Sequence, residues 1–134
     1  MIVVTVVFHV AGLGVLSEMA GRLGGGSRSR SVVVFLARLG IVALLAVVLH
    51  GLESFAWAAA YLWLGALPSL RQATLVSLGA MTTYGSSGIA LARQWQLMGA
   101  LEALNGMLLF GLTTAFLFAI VQKLWPHRPR DGGV

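Results

Sequence analysis

Four polar residues inside long apolar stretches have types and spacing that suggest chemistry: His50, Glu53, Glu102 and Asn105. His50 and Glu53 are three residues apart and therefore share one face of a helix, as do Glu102 and Asn105. Imidazole titrates near neutral pH, so His50 and Glu53 suit a pH sensor. The same pair equally suits a buried hydrogen-bond network that ties helices together.

A metal site at His50 and Glu53 lacks ligands, because zinc and related ions take three or four protein ligands. His9 is distant in sequence and belongs to another apolar run. We therefore predict no resident metal and no cofactor. The sequence also lacks the nucleophile, metal and nucleotide motifs of enzymes, so no enzyme activity is predicted.

A run of hydroxyl groups and glycines interrupts the apolar sequence after residue 81. It consists of Thr82, Thr83, Tyr84, Gly85, Ser86, Ser87 and Gly88. Glycine and short polar residues at this density predict a helix break. Upstream, Ser69 and Gln72 have the spacing of a capping box, which predicts a short helix over about 70–81 that leads into the run.

The composition places these groups in a membrane protein. Of the 134 residues, 58% are hydrophobic and 10% are charged, and the mean hydropathy is +0.90. A soluble domain of this size cannot bury so much apolar surface, and disorder requires low hydrophobicity. The net charge of +5 comes from basic residues scattered between apolar runs. They form no basic face for nucleic acid, so membrane lipids are the expected surroundings.

Three apolar runs and their polar connections divide the chain into four segments. These are 1–20, an N-terminal transmembrane helix; 21–31, a cytoplasmic loop of Gly, Ser and Arg; 32–125, the main membrane module; and 126–134, a basic cytoplasmic tail. Twenty helical residues extend about 30 Å, enough to cross a bilayer core. A cleaved signal peptide is the alternative for 1–20, which lacks the basic residues that usually begin one. Pro68 is expected to end the helix of the second run.

The stretch 73–91 is either a fourth span or a re-entrant hairpin, and the basic residues distinguish the two. If it re-enters, seven of the nine basic residues share one side and only Arg71 and Arg93 lie opposite; if it spans, the split is five to four. Basic residues concentrate on the cytoplasmic side, so we predict three spans, an outside N-terminus and a cytoplasmic C-terminus. Polar backbone inside a membrane needs protein or water around it, which indicates an oligomeric pore.

Thr82, Thr83 and Gly85 match three positions of the motif Thr-Thr-Val/Leu-Gly-Tyr-Gly-Asp. On this motif and the stretch 101–111, the region 49–124 resembles the pore module of tetrameric potassium channels, in particular small bacterial proteins with an extra N-terminal helix. The resemblance implies an all-α homotetramer in the bacterial inner (plasma) membrane. Each protomer would have three transmembrane helices, a re-entrant pore helix and a filter loop, with K⁺ or Na⁺ as permeant ions.

The remaining positions of the filter motif, Tyr84 and Ser86 to Gly88, depart from the family pattern. Serine adopts a left-handed backbone at a cost of about 1–2 kcal/mol, whereas glycine adopts it freely. We therefore expect 83–85 to keep a channel-like backbone and 86–88 to lose it. Filter carbonyls replace the hydration shell of the ion, so the altered upper half predicts a monovalent cation channel with altered or weak K⁺ selectivity.

Other residues have two interpretations each. By the resemblance, Gly106 and Gly111 are gating hinges; otherwise they are points of close helix packing. Glu102 either supports the back of the filter or concentrates cations at its mouth. For the whole chain, the alternatives are a non-conducting or regulatory channel homologue, an ordinary loop on an unrelated fold, and a small proton-coupled transporter. The transporter would carry its proton on Glu18 or Glu53 and would need four spans.

Overall fold

The computed structural model describes residues 1–24, 32–85 and 88–124, and the regular structure of these residues is entirely helical. The helices are α1 (Ile2–Gly24), α2 (Val32–Trp63), α3 (Leu70–Met81) and α4 (Gln96–Leu124), and a 3₁₀ turn over Arg93–Trp95 leads into α4. Helix α1 continues four residues beyond the predicted boundary at residue 20. The remainder of the predicted loop from residue 25, the tail 126–134, and Ser86 and Ser87 lie outside the described residues.

Three of these helices are long and apolar enough to cross a membrane. The candidate spans are Ile2–Arg22, Val32–Trp63 and Arg93–Lys123. Their outward surfaces are apolar as well, since Val3, Leu44 and Val47 are 74%, 68% and 66% exposed. The structure therefore confirms an all-helical fold with three helices suited to a membrane. Helix α3 has 12 residues and extends about 18 Å, which is short of the bilayer core.

The end of α2 is set by Gly65 rather than by Pro68. Gly65 has φ +67°, and its N–H donates to the Leu62 carbonyl at 3.0 Å. The next N–H, of Ala66, donates to the Tyr61 carbonyl at 2.8 Å. This pair of bonds is a Schellman motif, in which a left-handed glycine satisfies the last carbonyls of a helix. The helix thus ends at Trp63, ahead of the residue whose backbone Pro68 restricts.

The start of α3 confirms the predicted N-cap. Ser69 has an extended backbone, and its hydroxyl accepts a hydrogen bond from the Gln72 N–H at 3.3 Å. At the other end, Met81 is buried, and its sulfur accepts a hydrogen bond from the Ser54 hydroxyl of α2 at 3.1 Å. Helix α3 therefore begins beside the C-terminal end of α2 and ends against a more central part of α2.

Helices α2 and α4 form the central pair, and α1 and α3 each pack against both. Asn105 contacts Thr5 near the start of α4 and α1, and Ile120 packs against Ala20 near their ends. Helix α1 therefore runs parallel to α4. Val42, in the first third of α2, joins the same cluster as Ala20 and Ile120, so α2 runs opposite to both.

Candidate functional site

Helix packing brings His9 of α1 to the two polar residues that the sequence pairs on α2. Leu13 and Leu16 of α1 cluster with Ala46 and Leu49 of α2. Because the two helices are antiparallel, about one further turn along this contact places His9 beside Glu53. The His9 Nδ1 atom lies 2.8 Å from Glu53 Oε1, and both side chains are fully buried.

Thr113 of α4 completes a closed arrangement of four side chains, which we call the His–Glu ring: His9, His50, Glu53 and Thr113. The Thr113 hydroxyl lies 3.0 Å from His9 Nε2 and 3.0 Å from His50 Nε2. The fourth link joins His50 Nδ1 to Glu53 Oε2 at 3.5 Å, which is too long for a hydrogen bond. Neither of these two buried atoms has a hydrogen-bond partner among the described residues.

Aromatic packing holds the His50 ring in place. Its ring is stacked on Phe110 with centroids 4.5 Å apart and an interplanar angle of 15°. On the other side, the His9 ring is tilted by 48° at a centroid distance of 5.0 Å. The His50 side chain is 12% exposed, whereas the side chains of His9 and Glu53 are 0% exposed. The His–Glu ring therefore reaches the protein surface at His50.

A second polar contact lies between the ring and the N-terminal ends of α1 and α4. The Asn105 amide donates to Thr5 Oγ1 at 2.9 Å, and the Thr5 hydroxyl donates to the Ile2 carbonyl at 2.9 Å. Thr5 and Asn105 are both buried. His9 is one helical turn after Thr5, so the two residues lie on the same face of α1. From this face Thr5 contacts Asn105 of α4 and His9 contacts Glu53 of α2.

Glu102 is buried in a third polar contact, which joins α4 to α2. The Tyr61 hydroxyl donates to Glu102 Oε2 at 2.8 Å, and both residues are 0% exposed. Ser77 of α3 faces the same carboxylate and is also buried. Glu102 is thus enclosed by α2, α3 and α4. Such a placement agrees with support of the α3 region and separates Glu102 from the exposed surface of the protein.

The segment that follows α3 begins with exposed, non-helical residues. Its first residues, Thr82 to Gly85, are all exposed, and Tyr84 is 82% exposed. The Thr82 and Thr83 N–H groups donate to the Leu78 and Ala80 carbonyls, so the chain stays close to the helix end. Thr83 has φ +59°, and the two glycines of the segment, Gly85 and Gly88, have φ +82° and +78°.

Two glycines allow backbones to meet at the end of α3. The Gly85 N–H donates to the Gly79 carbonyl at 3.1 Å, and a Cβ atom at Gly79 would overlap the Gly85 carbonyl. On α4, a Cβ atom at Gly106 would lie 2.6 Å from the Met81 carbonyl oxygen. Gly111 has open space around its Cβ position. The two predicted hinge positions thus differ, because only Gly106 lies at a close helix contact.

Sequence reasoning did not include His9, Thr5 or Tyr61 among the candidate site residues. It separated His9 from His50 and Glu53 because of their distance in sequence, whereas the structure places all three together. One local signal was available, since Thr5 and His9 are polar residues four apart in an otherwise apolar run. Tyr61 gave no such signal, because tyrosine is common near membrane surfaces.

Comparison of the chain with models of protein families, with curated proteins and with solved structures found no match. The resemblance of the 82–88 motif to the filter of potassium channels therefore remains a prediction.

Proposed function

We propose that this chain is the protomer of a homotetrameric cation channel in which the segment 82–88 lines the narrowest part of the pore. The permeant ions are monovalent, with altered or weak preference for K⁺ over Na⁺. The observation that carries the proposal is the position of the segment's first residues. These residues, Thr82 to Gly85, follow α3 and form an exposed, polar, non-helical turn beside the middle of the two long apolar helices α2 and α4.

The depth of this turn follows from the contacts of Met81, the last residue of α3. Met81 touches Gly106, which is ten residues beyond Gln96 and therefore about 15 Å along α4. It also bonds to Ser54, nine residues before the end of α2 and hence about 14 Å from it. Both distances are about half of a bilayer core, which is about 30 Å thick. A re-entrant α3 with its C-terminal end near the membrane midplane explains both contacts.

An exposed turn near the membrane midplane must be shielded from lipid. Backbone N–H and C=O groups that face lipid have no hydrogen-bond partner, so irregular backbone inside a membrane is buried in protein or borders water. Thr82, Thr83, Tyr84 and Gly85 are exposed in the protomer. Four protomers around a shared axis would bring these turns together and provide a water-filled path between them.

The chemistry of the turn favours cations. The C-terminal end of a helix carries partial negative charge, and α3 ends at this turn. Hydroxyl oxygens of Thr82 and Thr83 and backbone carbonyls would offer neutral oxygen ligands, which suit dehydrated monovalent ions. Thr83 and Gly85 both have a left-handed backbone. Serine adopts that conformation less readily than glycine, so the serines at positions 86 and 87 weaken the expected discrimination between K⁺ and Na⁺.

The parallel arrangement of α1 and α4 supports the proposed orientation in the bacterial inner membrane. It places the N-terminus on the side where α2 ends and α3 begins, and the end of α4 on the opposite side. With the N-terminus outside, Arg22 and Lys123 lie at the cytoplasmic ends of α1 and α4. This arrangement follows the usual excess of basic residues on the cytoplasmic side.

The proton-coupled transporter is the less favoured candidate. It needs a fourth span, whereas α3 extends about 18 Å, and the described residues contain three helices of spanning length. Glu18, one of its proposed proton carriers, is exposed and 3.7 Å from Arg22. Glu53 is the better candidate for that role, because it is buried beside two histidines.

Reconstitution in planar bilayers tests the proposal. With K⁺ on one side and Na⁺ on the other, we expect a cation current whose reversal potential is near zero. Thr83→Val should change the K⁺/Na⁺ permeability ratio, because it removes a hydroxyl from the turn. Thr74→Val, in the N-terminal half of α3, is the matched control and should leave the ratio unchanged.

A reversal potential at the K⁺ limit would contradict weak selectivity, and equal effects of the two valine variants would contradict the pore-lining role. Absence of current from protein shown to be tetrameric by native mass spectrometry would favour the non-conducting or regulatory homologue.

A further inference from the structure

We propose that His9, His50 and Glu53 form a binding site for one divalent transition-metal ion of the zinc type, with Thr113 orienting both imidazoles. The site joins α1 to α2 and α4. It is separate from the proposed pore segment, and its test does not depend on conduction.

The ligand atoms have the separation that such a site requires. One ligand atom from each of the three residues lies within 4.8 Å of the other two. His9 Nδ1 is 2.8 Å from Glu53 Oε1, and His50 Nδ1 is 3.5 Å from Glu53 Oε2. Two ligands bound tetrahedrally to Zn²⁺ lie about 3.4 Å apart, since each metal–ligand bond is about 2.1 Å. The two distances to Glu53 bracket this value, so side-chain rotations would bring all three groups onto one ion.

With Glu53 ionised and both imidazoles neutral, the His–Glu ring has one proton fewer than it has links. Each neutral imidazole supplies one N–H and Thr113 supplies one O–H, whereas an ionised carboxylate supplies none. Three protons therefore serve four links. The longest link, between His50 Nδ1 and Glu53 Oε2, is the one where two lone pairs face each other without a donor. A cation at this position fills the gap and offsets the buried negative charge of Glu53.

Thr113 is placed as the outer partner that metal-binding histidines usually have. A histidine that binds metal through one ring nitrogen generally donates its other N–H to a fixed acceptor. Both Nε2 atoms lie 3.0 Å from Thr113 Oγ1, and a hydroxyl oxygen has two lone pairs to accept from them. Metal binding would move the His9 proton from Nδ1 to Nε2, so that both Nε2–H groups donate to Thr113 and both Nδ1 lone pairs face the ion.

The ligand set indicates the class of ion. Two imidazoles and a carboxylate bind Zn²⁺ and neighbouring first-row metals, whereas Mg²⁺ and Ca²⁺ prefer all-oxygen sites. Three protein ligands leave a fourth position for water or another group. Because His50 is the partly exposed member, that position and the entry path lie on its side.

Zinc binding to the purified full chain in detergent tests the proposal. The affinity tag must contain no histidine, and a competing chromophoric chelator reports the Zn²⁺ affinity. We expect one ion per chain, with saturable binding lost in His9→Gln, His50→Gln and Glu53→Gln. Thr113→Val should weaken binding about 10–100-fold through the two imidazoles. His127→Gln is the matched control, since His127 is the remaining histidine of the chain, and it should leave the affinity unchanged.

Thermal unfolding separates a lost site from a lost fold. Wild-type protein should unfold at a higher temperature with Zn²⁺ than without it, because a ligand that binds the folded state stabilises it. Glu53→Gln should remain folded and lose this shift. A dissociation constant for Zn²⁺ above about 1 mM in folded wild-type protein would overturn the proposal. So would binding that survives the ring substitutions or is lost in His127→Gln. Since no current is measured, these outcomes are independent of whether the chain conducts.

Discussion

Gly106 of α4 and Met81 of α3 are in backbone contact: a Cβ atom at Gly106 would lie 2.6 Å from the Met81 carbonyl oxygen and 2.7 Å from its Cα atom. This contact holds the C-terminal end of α3 against the interior of α4. It also explains how a glycine is accommodated at the centre of an apolar helix, where it otherwise lowers helix stability.

Gly106→Ala should destabilise the protein by about 1–3 kcal/mol, because the added methyl group meets backbone that cannot rotate away. Gly111→Ala is the matched control on the same helix. Its Cβ position is open, so we expect no loss of stability and a gain of up to about 1 kcal/mol. Unfolding by heat or denaturing detergent in micelles measures both. Equal effects of the two alanines would contradict the packing role of Gly106.

Tyr61→Phe should lower the free energy of unfolding by about 1–3 kcal/mol, because it leaves a carboxylate oxygen of Glu102 buried without its donor. Tyr84→Phe changes the other tyrosine of the chain, which is 82% exposed, and should have an effect within about 0.5 kcal/mol. The same micelle unfolding assay compares them. The contact between Tyr61 and Glu102 would have no energetic role if both variants behaved alike.

Glu53→Gln should keep metal-free protein at least as stable as wild type. The Gln carbonyl can accept from His9, and its amide can donate to His50 Nδ1, which supplies the donor missing from the His–Glu ring. Glu53→Leu removes both links and should destabilise the protein by about 1–3 kcal/mol. Thermal unfolding in the presence of a chelator measures the difference between them.

Glu18 provides the control for these Glu53 variants. It is exposed, and its separation from Arg22 is 3.7 Å, so Glu18→Gln and Glu18→Leu should each stay within about 0.5 kcal/mol of wild type. If Gln at position 53 were as destabilising as Leu, the proton count of the His–Glu ring would be wrong.

Cysteines at positions 71 and 93 should react with a membrane-impermeant thiol reagent from the same side of the membrane, because α3 is too short to separate them. A cysteine at position 22, at the end of α1, should react from the opposite side. The natural chain has no cysteine, so each single variant reports one position. Labelling of 71 and 93 from opposite sides would make α3 a fourth span and favour the transporter.

Local signals account for the elements that the sequence predicts well. The boundaries of α3 match the prediction because Ser69 and the Thr-rich break act within one helical turn. The end of α2 is different, since Gly65 stops the helix before Pro68 does. Two stop signals lie within four residues, and only the backbone conformation shows which one acts.

The sequence alone determined that the chain has apolar helices suited to a membrane and that a short helix is followed by a polar turn. Both properties depend on summed hydrophobicity and on contacts between residues close in the chain. The tertiary structure decided that His9 meets Glu53 and that Tyr61 meets Glu102. Helices α1 and α2 carry few polar residues and are apolar on their exposed faces as well, so the sequence does not show how the two helices are rotated or in which register they meet. Packing of residues such as Leu13 and Leu49 sets that register, and the buried polar pairs follow from it.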